Sequence, residues 1–306
     1  MTFFSKFAKT FFSNGHYKIL IYISIFVVLF YVNKTFKIEI LEDNSSLNLY
    51  FSAVFLLVSF FLNAKSMQLL YASFGFEMSF KLSIHAHGLN VLTKYVPGNL
   101  WIILGRSGYI SEKSSVPLPK SIQINLFWFI IMINLGSLIS LPLIFLKTHS
   151  LIFSFINLGI FLFSSIFLFE NKTINFINSK LESHGYSVIP ILPIIKLLPT
   201  MFFVLIMHIF ILIHFYFLSS QLLGPHDFLI VLLFPFSFVI SLFLFIFPGS
   251  LGVREGVLSF LLIENGVDSS IAISLAILSR LVFLLVEIVY FIISLASYKL
   301  GKHAYQ

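Results

Sequence analysis

Residues 271–296 read IAISLAILSRLVFLLVEIVYFIISLA. The run exceeds the roughly 20 apolar residues that an α-helix needs to cross a bilayer, and it holds just two charges, Arg280 and Glu287. A charge at the centre of a membrane helix costs about 2.5–3.5 kcal/mol on insertion scales, so such groups turn towards protein or water. Seven positions separate the two, about two helical turns, which puts both on one face. The stretch therefore predicts a transmembrane helix with an inward polar face, and with it the fold class: an all-α, polytopic transmembrane helix bundle.

Comparable runs recur along the chain. Residues 19–32, 49–70, 122–146, 151–169, 197–218 and 228–247 bring the set to about seven full spans. Over the 306 residues, 58% are hydrophobic and 10% charged, against about 45–50% apolar and about 25% charged in soluble domains. So few charges cannot cover a water-soluble surface. The chain is read as one integral membrane domain, 1–306, without a soluble part large enough for an independent active site. The 40 phenylalanines are read as fillers of lipid-facing positions. Cysteine is absent, which excludes disulfides, thiol nucleophiles and thiolate metal sites.

Lysine placement sets the expected topology, because cytoplasmic loops collect Lys and Arg. Lys6, Lys9 and Lys18 precede the first span, whereas the next loop sets Lys37 beside Glu39, Glu42 and Asp43. Segment 1–18 is therefore expected in the cytoplasm, with the first span as an uncleaved anchor, since no small-residue cleavage site follows it. Counting on through Lys113 and Lys120, then Lys172, Lys180 and Lys196, and finally Lys299 and Lys302 returns the C-terminus to the cytoplasm. The expected location is the plasma (inner) membrane, multi-pass. A net charge of +7 does not indicate a nucleic-acid partner, because the lysines are scattered between apolar segments.

Two apolar segments, 81–105 and 249–263, adjoin Pro-Gly interruptions and predict broken or re-entrant helices. The lysine count brings the first in from the cytoplasm and the second from outside. Opposed breaks point to inverted repeats, whose half-helix ends meet near the midplane around a substrate; a pair of ordinary kinks is the other reading. In the second break Pro248 removes a backbone donor, while Gly249, Gly252 and Gly256 admit conformations or close approaches barred to larger residues. Arg254 and Glu255 lie within it. The first break repeats the ingredients, with Pro97, Gly98 and Asn99 followed by Arg106.

Arg254, Arg280 and Arg106 form a candidate substrate-binding set, since the guanidinium fork suits phosphate. Glu255 and Glu287 are read as balancing or relaying its charge, with interhelical salt bridges as the structural alternative. His85 and His87 lie two apart and point in different directions on a helix, and His208 and His214 lack neighbouring carboxylates that would complete a metal site. No metal and no cofactor is assigned. Nor does a catalytic triad, phosphate loop or nucleotide fingerprint appear, so no enzymatic activity is assigned. The outer-loop acids Glu39, Glu42 and Asp43 are the hint of a lipid-carrier-dependent transferase.

From Pro248 through Ser250, Gly252, Val253, Arg254 and Glu255 to Gly256, and on to Gly266, Val267 and Arg280, the sequence resembles the flippase-like membrane family that includes the transmembrane region of lysylphosphatidylglycerol synthases. Tyr95, Val96, Pro97 and Gly98 through Arg106 look like that family's first motif. Ser250 stands where many relatives carry another glycine. The resemblance runs from about residue 49 to the C-terminus. It leaves no room for a soluble aminoacyl-transferase domain, so lysyl transfer is not implied. It implies flippase-type handling of an anionic lipid, a phospholipid or a polyprenyl-phosphate-linked glycan, in cell-envelope biogenesis. The partners implied are membrane lipids and envelope glycan or lipid-modifying enzymes. The alternatives are an integral membrane glycosyl- or phosphotransferase and a non-transporting scaffold of envelope enzymes.

Overall fold

A computed structural model describes residues 46–95, 100–145, 151–171, 174–175, 178–179, 192–226, 228–243 and 252–303. The span expected at 19–32 lies outside them, as do Pro97, Gly98, Asn99, Pro248, Gly249 and the acids Glu39, Glu42 and Asp43. The described residues are 89% helix, with no strand among them.

Helix α1 (Ser46–Ser73) leads through a short turn to α2 (Phe80–Gly88). Ser79 closes the first turn of α2, its Oγ accepting the Leu82 N–H at 3.1 Å. A 3-10 turn, Val91–Tyr95, precedes α3 (Leu100–Lys113), so segment 81–105 contains two helices and the turn between them. Next come α4 (Leu118–Ser140), with Pro119 in its first turn where a missing N–H is harmless, then α5 (Leu151–Phe169) and α6 (Ile194–Leu223). The span expected at 228–247 is, over its described part, a 3-10 turn (Phe228–Leu232) and the short α7 (Leu233–Phe243). Pro235, which has no N–H to donate, falls in the first turn of α7.

The last two helices, α8 (Val253–Glu264) and α9 (Ser269–His303), form a hairpin. Gly266, at φ +84°, supplies the left-handed residue that lets Val267 N–H reach the Leu262 carbonyl at 3.0 Å and Gly266 N–H reach that of Ile263 at 2.9 Å. Asp268 then caps α9, its Oδ1 accepting the Ser270 N–H at 2.8 Å. Helices α1, α4, α5, α6 and α9 are long and apolar enough to cross a membrane, which fits a multi-pass membrane protein. They coincide with five of the spans expected from sequence.

Between lipid-immersed helices the hydrophobic effect gives no net attraction, and small residues and interhelical hydrogen bonds take over. Helix α1 lies along α6, joined by Ser52 Oγ and His214 Nδ1 at 2.8 Å. A polar knot ties α1, α3 and α4 together: the Asn125 amide donates to Tyr71 Oη at 2.8 Å and to Ser107 Oγ at 2.9 Å, and the Tyr71 and Ser121 hydroxyls meet at 2.6 Å. Gly88 lets α2 touch α9, since a Cβ there would fall 2.6 Å from Ser294 Cβ. The phenylalanines are not confined to lipid-facing positions: Phe155 and Phe163 on peripheral α5 are exposed, but Phe215, Phe234 and Phe283 are buried, the first two stacked at 4.5 Å.

Candidate functional site

A cavity of about 330 Å³ opens among α1, α2, α3, α4, α7, α8 and α9, within the roughly 300–1,000 Å³ range of small-molecule sites. Its lining combines apolar side chains, chiefly from α3 and α4 (Ile102, Leu126, Phe129 and Ile133 among them), with the charged Lys94, Arg106, Arg254, Arg280 and Glu287. Every arginine in the chain is in that lining. Each is buried, with Arg106 1%, Arg254 2% and Arg280 3% exposed.

Arg254 owes its place to the start of α8. Gly252 takes φ +80°, a left-handed conformation that costs any residue with a Cβ about 1–2 kcal/mol. Its N–H is accepted by Glu255 Oε2 at 2.9 Å, the reach-back half of a capping box. The second oxygen, Oε1, stands 3.8 Å from Arg254 Nη2 and 3.6 Å from Arg280 Nε. One carboxylate thus caps a helix and holds two guanidinium groups at ion-pair distance, beyond hydrogen-bond range. The Arg254 guanidinium also lies over the rings of Phe283 and Phe234, at 4.7 and 5.4 Å.

Arg280 and Glu287 both face the cavity, as their spacing on one helix requires, yet they engage different elements. Arg280 looks to Glu255 on α8, whereas Glu287 pairs with Lys94 of the 3-10 turn. Glu287 is 1% exposed and Lys94 21% at the side chain. That pair clamps the 91–95 turn onto α9.

Arg106 projects from α3 and rests against the Trp128 ring at 4.9 Å. The ring is itself held, its Nε1 donating to Ser66 Oγ at 3.0 Å. Next to Arg106, Ser107 is fastened to Asn125, and Gly105 permits close approach, since a Cβ there would meet Asn90 Oδ1 at 2.5 Å. Nε and Nη1 of Arg106 have no hydrogen-bond partner. Asn63 Oδ1 and His87 Nδ1, on residues that line the same cavity, are also buried without a partner.

The structure thus brings four of the sequence-derived residues, Arg106, Arg254, Arg280 and Glu287, into one lining, with Glu255 bridging two of them from behind. The two described glycines of the second break part company: Gly252 is held at positive φ, whereas Gly256 sits on α8 with nothing within 4 Å of an added Cβ. Lys94, His87, Asn63 and Trp128 received no role in the sequence reading. Lys94 and Asn63 carry a weak signal, as polar residues beside apolar runs. Nothing in the sequence ties His87 or Trp128 to Arg106. Among the described residues no group of three or more His, Asp or Glu side chains is placed to hold a metal.

A charged group at the centre of a membrane helix costs about 2.5–3.5 kcal/mol on insertion scales, and six charged groups gather here. They are tolerable only because they face one another and a cavity. No protein-family profile matches the chain, and no curated protein or solved structure matches it either. The resemblance to the flippase-like family rests on the quoted residues alone.

Proposed function

We propose that this protein is a flippase-type transporter that takes an anionic lipid headgroup into the cavity and passes it across the plasma membrane in cell-envelope biogenesis. One observation carries the reading: all three arginines of the chain are buried in the lining of a cavity whose remaining wall is largely apolar. An arginine keeps its charge when buried and meets phosphate through a planar fork. A cavity both cationic and apolar suits a ligand that is anionic at one end and greasy at the other.

In this reading Arg254 and Arg280 hold the phosphate, and Glu255 and Glu287 neutralise them when the site is empty and relay charge when it fills. The breaks at Pro97-Gly98 and Pro248-Gly249 act as hinges between inverted repeats, and rocking of one repeat against the other opens the site to each leaflet in turn. The seven-span topology, with both termini cytoplasmic, is part of the same proposal.

The test is reconstitution into liposomes, with leaflet-resolved assays of labelled anionic phospholipids and polyprenyl phosphates. Transport faster than in protein-free liposomes is expected. Arg254→Gln or Arg280→Gln should slow it by about tenfold or more, since one charge-assisted contact is worth about 1.5–3 kcal/mol. Were no candidate lipid to cross faster than in empty liposomes, the transport reading would be lost. Turnover that depends on Glu39, Glu42 or Asp43 instead of the arginines would identify a transferase.

A further inference from the structure

Among the described residues, the charged side chains at the cavity are mostly cationic. Lys94, Arg106, Arg254 and Arg280 line it, and against them stand Glu287, in the lining, and Glu255, reaching Arg254 and Arg280 from α8. Among the described residues this leaves four positive groups facing two negative ones, an excess of two.

The excess is uneven. Glu287 faces Lys94, and Glu255 faces both Arg254 and Arg280. Arg106 makes no ion pair among the described residues, although it is 1% exposed. Its guanidinium carbon lies over the Trp128 ring at 4.9 Å, while two of its nitrogens, Nε and Nη1, lack a hydrogen-bond partner. A guanidinium stacked on a ring keeps its donors in the guanidinium plane, open to an anion arriving edge-on. His87 completes this end of the cavity. It is buried, and its Nδ1 has no hydrogen-bond partner.

We propose that the cavity selects a headgroup carrying two negative charges, with two ionised phosphate oxygens as in a phosphomonoester or diphosphate lipid, over a singly charged phosphodiester, and that Arg106 is the residue that reads the second charge. The proposal rests on the anionic-lipid reading above and narrows it to a substrate class. A monoanion leaves one positive charge uncompensated where water is scarce. A dianion neutralises the site and brings further oxygens to the Arg106 donors.

The chain holds two tryptophans, Trp101 and Trp128, so Trp101→Phe leaves the ring under Arg106 as the sole indole reporter. In nanodiscs of phosphatidylcholine at pH 8, dodecyl phosphate is compared with dodecyl methyl phosphate, which has the same chain and one charge fewer. Binding is followed by Trp128 emission and, for variants at Arg106, by calorimetry. Dodecyl phosphate should bind about tenfold more tightly or better, a difference of ~1.4 kcal/mol. Arg106→Gln should bring the two ligands to within about twofold by weakening the monoester alone, and Arg106→Lys should restore part of the preference.

Equal affinity of the unmutated site for the two esters overturns the proposal without recourse to any variant. So does an Arg106→Gln protein that loses both ligands equally. Inorganic phosphate provides a third arm: if it binds as tightly as dodecyl phosphate, the two-charge site stands and the lipid reading falls. If neither ester binds, both fall.

Discussion

Arginine and lysine occupy different places in this chain. Every lysine whose burial is described is at least partly exposed, whereas all three arginines are buried. The ammonium is a strongly hydrated point charge and resists drying, while the guanidinium is weakly hydrated and stacks on rings, as Arg106 does on Trp128 and Arg254 on Phe283. Lys94 is the lysine that reaches the cavity, and it does so against Glu287. A double-mutant cycle with Lys94→Met and Glu287→Gln is expected to give a coupling of about 1–3 kcal/mol in detergent unfolding. Strict additivity would show that the pair does not clamp the 91–95 turn. Arg280 and Glu287 were identifiable from spacing alone; the partner of each was not.

At the scale of the element, α8 shows how a short helix aims a charge. Positive φ at Gly252, the reach-back of Glu255 to its N–H, and the Gly266 and Asp268 hairpin place Arg254 and Arg280 around one carboxylate. Gly252 and Gly256, grouped together by sequence as parts of one break, should respond with opposite signs to the same substitution. Gly252→Ala strains a left-handed position and is expected to cost about 1–2 kcal/mol. Gly256→Ala meets open space on a helix and should stabilise it by up to about 1 kcal/mol. Thermal unfolding in one detergent checks both, and loss of stability at Gly256 would reveal a close approach that the fold does not contain. Glu255→Gln keeps an acceptor for the Gly252 N–H while removing a negative charge, so charge alone should strengthen anion binding, and a loss in that variant would show that the carboxylate positions Arg254 and Arg280.

For the molecule as a whole, the absence of cysteine makes the cavity's field measurable. Ile133 lines the cavity on α4 and is partly exposed. Ile133→Cys therefore adds one thiol beside an excess of positive charge. A sulfonate-bearing methanethiosulfonate should modify it about tenfold faster than a trimethylammonium-bearing one, because a cleft of one sign concentrates counter-ions. Arg254→Gln should narrow that ratio. Equal rates for the two reagents would mean that the cavity carries no net field.

Composition and periodicity suffice for the helical class, for the five long apolar spans, and for the shared face of Arg280 and Glu287 on α9. Transfer of a side chain into hydrocarbon is additive over some 20 neighbouring residues, so it can be read from a local window. Of the span expected at 228–247, the described part is a 3-10 turn and a short helix, and residues 244–247 lie outside the described residues. Tertiary structure alone decided which charges meet. Lys94 and Glu287 are 193 positions apart, and Arg106 finds Trp128 on another helix. Periodicity specifies the face a residue occupies, but the partner across from it depends on how helices distant in the chain pack together. The cavity exists only where those faces converge.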